Sequence, residues 1–357
     1  MKLFSKTLVA LATSMSLMVA GASSVNAEEK TEFKLAWSIY VGWMPWGWAA
    51  DQGIVDKWAD KYDIEIEVVQ FNDYIESINQ YTAGAFDGVT ATNMDTLAIP
   101  SVGGVDTTAL IVGDFSNGND ALILKGADSL DAVLGQNVNL VELSVSHYLL
   151  ARALETLGKA EKDVAVVNTS DADMIAAYQT DDVTAVVTWN PLVAEILEIP
   201  GANKVFDSSD IPGEIMDLTV VNTETLADNP AFGKALAGAW YETMSIMLSD
   251  TPEGAAARAA MGEASGTDLA GYDMQLASTQ MFATASDAVT FTTSESVTST
   301  MESVRTFLFE RGLLGDGASS PDIVGIAFPD GSVLGDEGNV KFRFNADYMS
   351  MAADGSL

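Results

Sequence analysis

Two successive runs of alternating strand and helix patterns constrain the fold of this chain most strongly. In the first run, apolar strand patterns alternate with helical patterns. The predicted strands lie at 33–39, 64–70, 88–91 and 107–112, and the predicted helices lie at 45–61, 74–83 and 95–102. This rhythm predicts a parallel sheet covered by helices. A second run begins near Asp120, with strands at 121–124, 138–141, 164–167 and 185–188 and helices at 144–157, 171–179 and 191–197.

The chain changes character after a last clear strand at 218–221. From Thr223 onward it is rich in Ala, Met and Thr, is mostly helical in pattern, and includes one long predicted helix at 289–308. We therefore predict two α/β lobes with a cleft between them and two crossings of the chain, near 113–119 and 210–218. Residues 28–115 plus 218–357 would form lobe 1, and residues 116–217 would form lobe 2.

The first 27 residues have the pattern of a cleavable export signal. Lys2 and Lys6 supply the positive start, an apolar run follows from Leu8 to Ala20, and 25–27 has small residues at its first and last positions. The apolar run is shorter than the roughly 20 residues that cross a bilayer, which argues against a membrane anchor. These features predict that the mature protein is exported to the periplasm.

The composition excludes several classes of function. The chain has no cysteine and one histidine, which rules out disulfides, thiolate metal sites, cysteine nucleophiles and a histidine-based metal cage. Its formal charge of −34 argues against nucleic acid as a partner. We expect no cofactor and no metal.

Aromatic residues are concentrated after the first predicted strand. Four of the seven tryptophans lie within residues 37–48. Trp37 and Trp48 suit the core, whereas Trp43 and Trp46 lie in a turn and the first helical residues, where they could line a ligand cleft. Ligands of open parallel sheets bind beyond the carboxyl ends of the strands, and an aromatic face there could hold a flat or cationic ligand.

Carboxylates and amides occupy several other strand ends. The candidates for ligand contact are Asp73, Asn93, Asp95, Glu142, Trp189, Asn190 and Asp217. Asp73 and Asp95 each precede a helix, so N-capping is the alternative for both. Of the mature lysines and arginines, only Lys125 lies near a strand end that could face the cleft. The predicted cleft is thus aromatic and acidic, which favours a small cationic or strongly donating ligand.

Several segments together resemble the solute-binding proteins of nitrate/sulfonate/taurine-type ABC importers. They are the export signal, the opening Gly-Trp-Met-Pro-Trp at 42–46, and the segments 143–150, 187–191 and 222–230. The resemblance implies a type II periplasmic binding protein, two-lobed, that delivers a solute to a permease in the inner membrane. It also implies that Trp43, Trp46, Asn93, Ser144, Ser146, His147 and Trp189 line or border the cleft. His147 could instead cap or pack at the helix start.

The aromatic-rich opening with its acidic companions departs from the sulfonate-binding members of this family and is more similar to the urea- and guanidine-associated branch. Guanidinium is planar, can stack on tryptophan and donates paired hydrogen bonds to a carboxylate. We therefore predict a binding protein for guanidine, with urea, an amine or a sulfonate such as taurine as alternatives. We expect a monomer and no enzyme, because Ser144 or Ser146 with His147 on one helix does not form a triad. A sensor subunit that presents its solute to a receptor is a further alternative.

Overall fold

A computed structural model describes residues 30–315 and 317–357. The predicted export signal at 1–27 lies outside these residues. Within the described ranges, no helix combines the length and apolar character needed to cross a membrane.

In the described residues, fourteen strands form two sheets, which we call the large sheet and the small sheet. The strands are β1 (Glu32–Ser38), β2 (Glu65–Phe71), β3 (Gly88–Thr92), β4 (Thr107–Ser116), β5 (Ala121–Lys125), β6 (Asn137–Leu140), β7 (Ala165–Asn168), β8 (Ala185–Thr188), β9 (Ala202–Asp207), β10 (Met216–Asn222), β11 (Thr279–Met281), β12 (Gly325–Ala327), β13 (Val333–Leu334) and β14 (Val340–Phe344). The large sheet has the order β13-β12-β14-β4-β10-β3-β1-β2, with β11 paired to β4, and the small sheet has the order β7-β6-β8-β5-β9.

Neither sheet is purely parallel, which corrects the prediction. In the large sheet, β10 lies between β3 and β4 and is antiparallel to both. In the small sheet, β5 is antiparallel to β8 and β9. β10 and β5 are each the first strand after a crossing between the sheets, so no helical crossover within the same sheet fixes their direction.

The helices pack on the two sheets. They are α1 (Met44–Asp51), α2 (Ile54–Asp60), α3 (Tyr74–Thr82), α4 (Asn93–Thr96), α5 (Val145–Thr156), α6 (Asp171–Tyr178), α7 (Leu192–Leu197), α8 (Thr223–Asp228), α9 (Pro230–Met247), α10 (Pro252–Ala264), α11 (Leu269–Leu276), α12 (Ala285–Thr292), α13 (Glu295–Glu310) and α14 (Asp347–Asp354). A π-helical turn at Leu97–Ser101 follows α4 and contains Pro100.

Two predicted long helices are each divided. The helix predicted at 45–61 is broken by Gly53, whose φ of +69° suits a residue without a Cβ atom. The helix predicted at 289–308 ends at Thr292 and restarts at Glu295. There the Thr293 and Ser294 hydroxyls donate to the Val289 and Phe291 carbonyls, and such side-chain bonds compete with continuation of the helix.

The chain crosses between the sheets twice, and the crossings are joined. It leaves the large sheet after Ser116 and returns at Met216. The Ser116 and Ser208 hydroxyls lie 2.6 Å apart, and the Gly118 amide donates to the Ser208 hydroxyl at 2.8 Å. The predicted architecture of two α/β lobes with two crossings is confirmed; the lobe boundaries at 115/116 and 217/218 stay a prediction.

Most buried apolar residues belong to one continuous core that extends over both sheets. A smaller core covers the other face of the small sheet, formed by Ala121, Ile123, Met174, Tyr178, Val186, Val193 and Ile196. The small sheet is therefore packed on both faces, which fixes the position of its strands.

Candidate functional site

A cavity with an empty volume of about 260 Å³, its opening to solvent included, lies where the two sheets meet. Its lining residues are Tyr40, Trp43, Tyr74, Thr92, Asp120, Val145, Trp189 and Asp217. They come from both sheets and the loops that follow them. Half are aromatic, two are carboxylates, and none of the eight is Lys, Arg or His.

Four aromatic rings form a continuous chain along the cavity. The ring centroids of Tyr40 and Trp43 are 4.9 Å apart, those of Trp43 and Tyr74 are 5.5 Å apart, and those of Tyr74 and Trp189 are 5.7 Å apart. Trp189 follows β8 of the small sheet, whereas the other three rings belong to the large-sheet side. The indole Nε1 of Trp43 is buried and makes no hydrogen bond among the described residues.

Asp114 and Asp217 form a buried carboxyl pair. They are register partners on the antiparallel strands β4 and β10, so their side chains lie side by side. The Tyr40 hydroxyl donates to Asp114 Oδ1 at 2.8 Å, and the two carboxyls lie close enough to share a proton in a hydrogen bond with each other. Burial raises the pKa of both, and for Asp217 the charge of Asp114 raises the pKa further.

Two further carboxyl groups complete the acidic surroundings. Asp120 accepts from the Ser116 hydroxyl at 2.5 Å, and burial raises its pKa to about 6. Asp95 lies behind the cavity wall, where the Tyr74 and Thr92 hydroxyls donate to its Oδ2 at 2.8 and 2.9 Å. Burial raises the pKa of Asp95 to about 6 as well. The site thus concentrates acidic groups where water is largely excluded, and the ionised form of each group gains from a neighbouring positive charge.

The loop before α1 positions the first two rings. The Tyr40 carbonyl accepts from the amides of Trp43 and Met44, and the Tyr272 hydroxyl donates to the Val41 carbonyl at 2.9 Å. Gly42 permits this close packing because a Cβ atom there would lie 2.5 Å from Tyr40 Cε1 and 2.6 Å from Asp114 Oδ2.

We expect Gly42→Ala to destabilise the protein by about 1–3 kcal/mol, since the added methyl overpacks a buried ring and a buried carboxyl. Differential scanning calorimetry measures the loss. Gly317→Ala is the control, because no neighbouring atom lies within 4 Å of a Cβ placed there. Equal melting temperatures for the two variants would contradict the assignment of Gly42 as a packing requirement.

The sequence matches the model of the NMT1-like family over residues 26–262. The chain belongs to the NMT1-like family. Its sequence is 27% identical over 132 residues to the taurine-binding periplasmic protein of Escherichia coli (strain K12); the match spans 36% of this chain and 40% of that protein.

Solved structures show the same fold for this NMT1-like protein. The alkanesulfonate-binding protein of Xanthomonas axonopodis pv. citri, bound to MOPS, gives a TM-score of 0.65 at 13% identity, over 81% of this chain and 96% of that one. The periplasmic nitrate-binding protein of Synechocystis PCC 6803 gives 0.56 at 14% identity, over 92% and 99%. The predicted type II periplasmic binding protein fold and the resemblance to sulfonate-, taurine- and nitrate-binding proteins are confirmed. Closeness to the urea- and guanidine-associated branch stays a prediction.

Of the predicted site residues, Trp43, Trp189 and Asp217 line the cavity of this NMT1-like protein. Asp95 touches the cavity-lining residues Tyr74 and Thr92 from behind. These four come from separate segments that the fold brings to one place.

Trp46 and Asn93 have structural roles instead. Trp46 is completely buried against Trp240, with its Nε1 donating to the Thr219 hydroxyl at 3.1 Å. Asn93 ties α4 to the segment before β10, since its amide accepts from Met216 N and donates to the Glu214 carbonyl. Neither lines the cavity, because hydrogen bonds with the β10 segment hold both side chains.

Asp73 and Glu142 also lie away from the lining. Asp73 is the N-cap of α3 and accepts from the Glu76 amide at 2.8 Å, so the capping alternative describes it. Glu142 is exposed, and its backbone amide donates to Asn168 Oδ1. Glu142 follows β6, and β8 lies between β6 and β5 in the small sheet. The end of β6 is therefore displaced from the crossings, which adjoin β5.

The segment at the start of α5 serves mainly as support. Ser144 is the N-cap, accepting from the Ser146 amide, and His147 is held between the Leu143 amide and Glu161. The capping or packing alternative therefore describes His147. The Ser146 hydroxyl is buried with no hydrogen-bond partner among the described residues, and Asn190 joins the Ser278 hydroxyl to the Ala194 amide.

Sequence reasoning missed Tyr40, Tyr74, Thr92, Asp120 and Val145 as lining residues, and Asp114 as a partner of Asp217. Asp120 was missed because it precedes a strand, whereas the ligand-binding rule for parallel sheets points to the carboxyl ends of strands. Since β5 is antiparallel to β8, its first residue pairs with the last residue of β8, as Ala121 does with Thr188. The available signal was a carboxylate at the start of the first strand after a crossing.

Proposed function

We propose that this protein is the periplasmic solute-binding component of an ABC importer and that it captures guanidinium. The single observation that supports this choice of ligand is a chain of four aromatic rings beside buried carboxyl groups, with no basic residue in the cavity lining. The fold and the family support the importer role. The names of the relatives describe binding rather than catalysis, in agreement with the prediction that the chain is not an enzyme.

The buried acids favour a cation over a neutral or anionic solute. Asp114, Asp120 and Asp217 lie in or beside the cavity wall, and their shared negative charge is costly without a counter-charge. Urea would leave that charge uncompensated. Taurine and nitrate would bring a further negative group to a cavity whose lining holds no basic residue.

The paired carboxyl groups favour a cation with several N–H donors. Asp114 and Asp217 lie close enough to share one proton, and when both are ionised each can accept a charge-assisted hydrogen bond from the solute. A quaternary ammonium ion stacks on aromatic rings but donates no hydrogen bond. Guanidinium does both, because its planar face stacks while its edge donates to two acceptors at once.

In this role the solute joins the two lobes. Trp189 and Asp120 belong to the small-sheet side, whereas Tyr40, Trp43 and Asp217 belong to the large-sheet side. A ligand that contacts both sets stabilises the closed arrangement, and the closed protein delivers it to an inner-membrane permease. We expect the binding protein to act as a monomer.

Isothermal titration calorimetry with guanidinium chloride, urea, methylammonium, tetramethylammonium, taurine and nitrate tests the proposal. We expect guanidinium to bind at least about 100-fold more tightly than urea, since an uncompensated buried charge costs several kcal/mol. Tetramethylammonium separates stacking from hydrogen bonding. Tight binding of taurine or nitrate without binding of guanidinium would refute the ligand assignment.

A further inference from the structure

We infer that the carboxylate of Asp95 occupies the anion position at the N-terminus of α5 and thereby excludes anionic solutes from the site. This inference rests on the proposed function, since it explains how a fold shared with sulfonate- and nitrate-binding proteins accommodates a cation. It concerns a residue outside the cavity lining.

The first turn of α5 is a ready anion position. This helix has 12 residues, and its first residue, Val145, lines the cavity. The positive end of the helix dipole therefore lies at the cavity wall. The Val145 amide donates to Asp95 Oδ2 at 3.4 Å, so a carboxylate oxygen from α4 takes the place that a bound anion would take.

The Asp95 carboxylate is held there by three donors at one oxygen. Tyr74 and Thr92, which both line the cavity, donate from their hydroxyls, and Val145 donates from its amide. The donors come from α3, β3 and α5, so the carboxylate joins elements of both sheets.

Two buried polar atoms beside the Val145–Asp95 contact have no hydrogen-bond partner among the described residues. Asp95 is completely buried, and its Oδ1 has no hydrogen-bond partner among the described residues. The Ser146 hydroxyl, at the second residue of α5, is also completely buried and without a partner in that part of the chain. An unpaired buried polar atom costs free energy, so both atoms have the capacity to bond to a further group at this position.

The consequence is an electrostatic reversal of the site. A helix N-terminus open to the cavity attracts an anion, whereas the same terminus covered by a carboxylate presents negative charge behind Tyr74 and Thr92. An anionic solute would meet both an occupied position and a repulsive charge. A cation gains from the same charge through the cavity wall.

Chemical rescue by formate tests the inference. In Asp95→Ala the carboxylate is removed and leaves a space of its size, so formate is expected to bind and shift the Val145 amide resonance in ¹⁵N-labelled protein. Guanidinium affinity should fall about tenfold or more in this variant and be largely restored by saturating formate. Sodium perchlorate at equal ionic strength controls for salt.

Two matched variants make the result specific. Asp268→Ala removes a carboxylate that caps α11 at an exposed position, where water replaces it, so formate should have no effect. Asp95→Asn preserves the shape and an acceptor for the three donors but removes the charge. It should weaken guanidinium binding without rescue by formate, and it serves if Asp95→Ala does not fold.

The outcomes separate this inference from the proposed function. A Val145 shift with formate in Asp95→Ala, absent in wild type, supports the anion position even if wild type fails to bind guanidinium, which would refute the ligand alone. No shift with formate, or an equal shift in wild type, overturns the inference. Unchanged guanidinium affinity in Asp95→Asn, with wild type binding guanidinium, overturns it too.

Discussion

Replacing Asp114 and Asp217 together by asparagine is expected to abolish guanidinium binding while leaving the protein folded. The two carboxyls are register partners on β4 and β10, and both are buried, with Asp217 lining the cavity. Loss of a buried, hydrogen-bonded charge contact costs about 2–5 kcal/mol, which corresponds to roughly 30- to 4,000-fold in affinity. Removal of both carboxylates should exceed about 100-fold.

The same double variant should be at least as thermally stable as the wild type without ligand. Two like-charged buried groups raise each other's cost of ionisation, and replacing them by neutral amides of the same shape removes that cost. Calorimetric titration measures the affinity, and a thermal melt measures the stability. Asp128→Asn, at an exposed position, is the control for a change in net charge. Guanidinium binding within about threefold of wild type would exclude the pair as the cation contact.

The second large effect is a pH dependence with opposite signs for the ligand-free and the ligand-bound protein. The pKa values of Asp95 and Asp120 are raised to about 6, and those of Asp114 and Asp217 are raised as well, all chiefly by burial. The folded state therefore binds more protons than the unfolded chain above about pH 4. Stability from these groups is complete below pH 4 and is lost as the pH rises through the raised values.

We therefore expect the melting temperature of the ligand-free protein to fall between pH 5 and pH 8. Asp106 and Asp207, whose pKa values are lowered by their partners Arg343 and Lys204, do not oppose this trend. Their contribution is constant above about pH 4 and is lost only as the pH falls further.

Guanidinium binding should strengthen over the same interval, because the cation binds the ionised carboxylates. The melting-temperature increase caused by a fixed guanidinium concentration is thus larger at pH 8 than at pH 5. Scanning calorimetry with and without guanidinium chloride, at constant ionic strength, measures both slopes. The Asp114 and Asp217 double asparagine variant should show a flatter ligand-free slope. A ligand-free melting temperature that rises from pH 5 to pH 8 would contradict the raised pKa values.

The hydrophobic pattern predicted most elements of the first two thirds of the chain. The strand predicted at 185–188 is β8, and the helix predicted at 74–83 is α3 to within one residue. Local signals failed where an element is short or lacks alternation, as with β9 and with β12, β13 and β14, which have three, two and five residues. Such strands form because a neighbouring strand pairs with them, which a local pattern does not record.

The candidate site was predictable in its chemistry and only partly in its members. Trp43 and Trp189 were found because large rings at strand ends are unusual, and Asp217 because it adjoins an apolar strand without a capping role. Trp46 carried the same signal as Trp43. Its indole nevertheless bonds to Thr219 on a strand more than 170 residues away in the chain, a contact that no local pattern encodes.

The sequence by itself determined the class of fold and the character of the site: two α/β units, aromatic and acidic strand ends, and no cysteine chemistry. These follow from periodicity and residue type, which are local properties. Only the tertiary structure decided which acids meet. Antiparallel insertion of β10 set Asp217 beside Asp114, the antiparallel start of β5 brought Asp120 to the same edge, and the meeting of α4 with α5 placed Asp95 on a helix terminus. Strand direction and long-range register arise from packing across the whole chain, so residues far apart in sequence become one site.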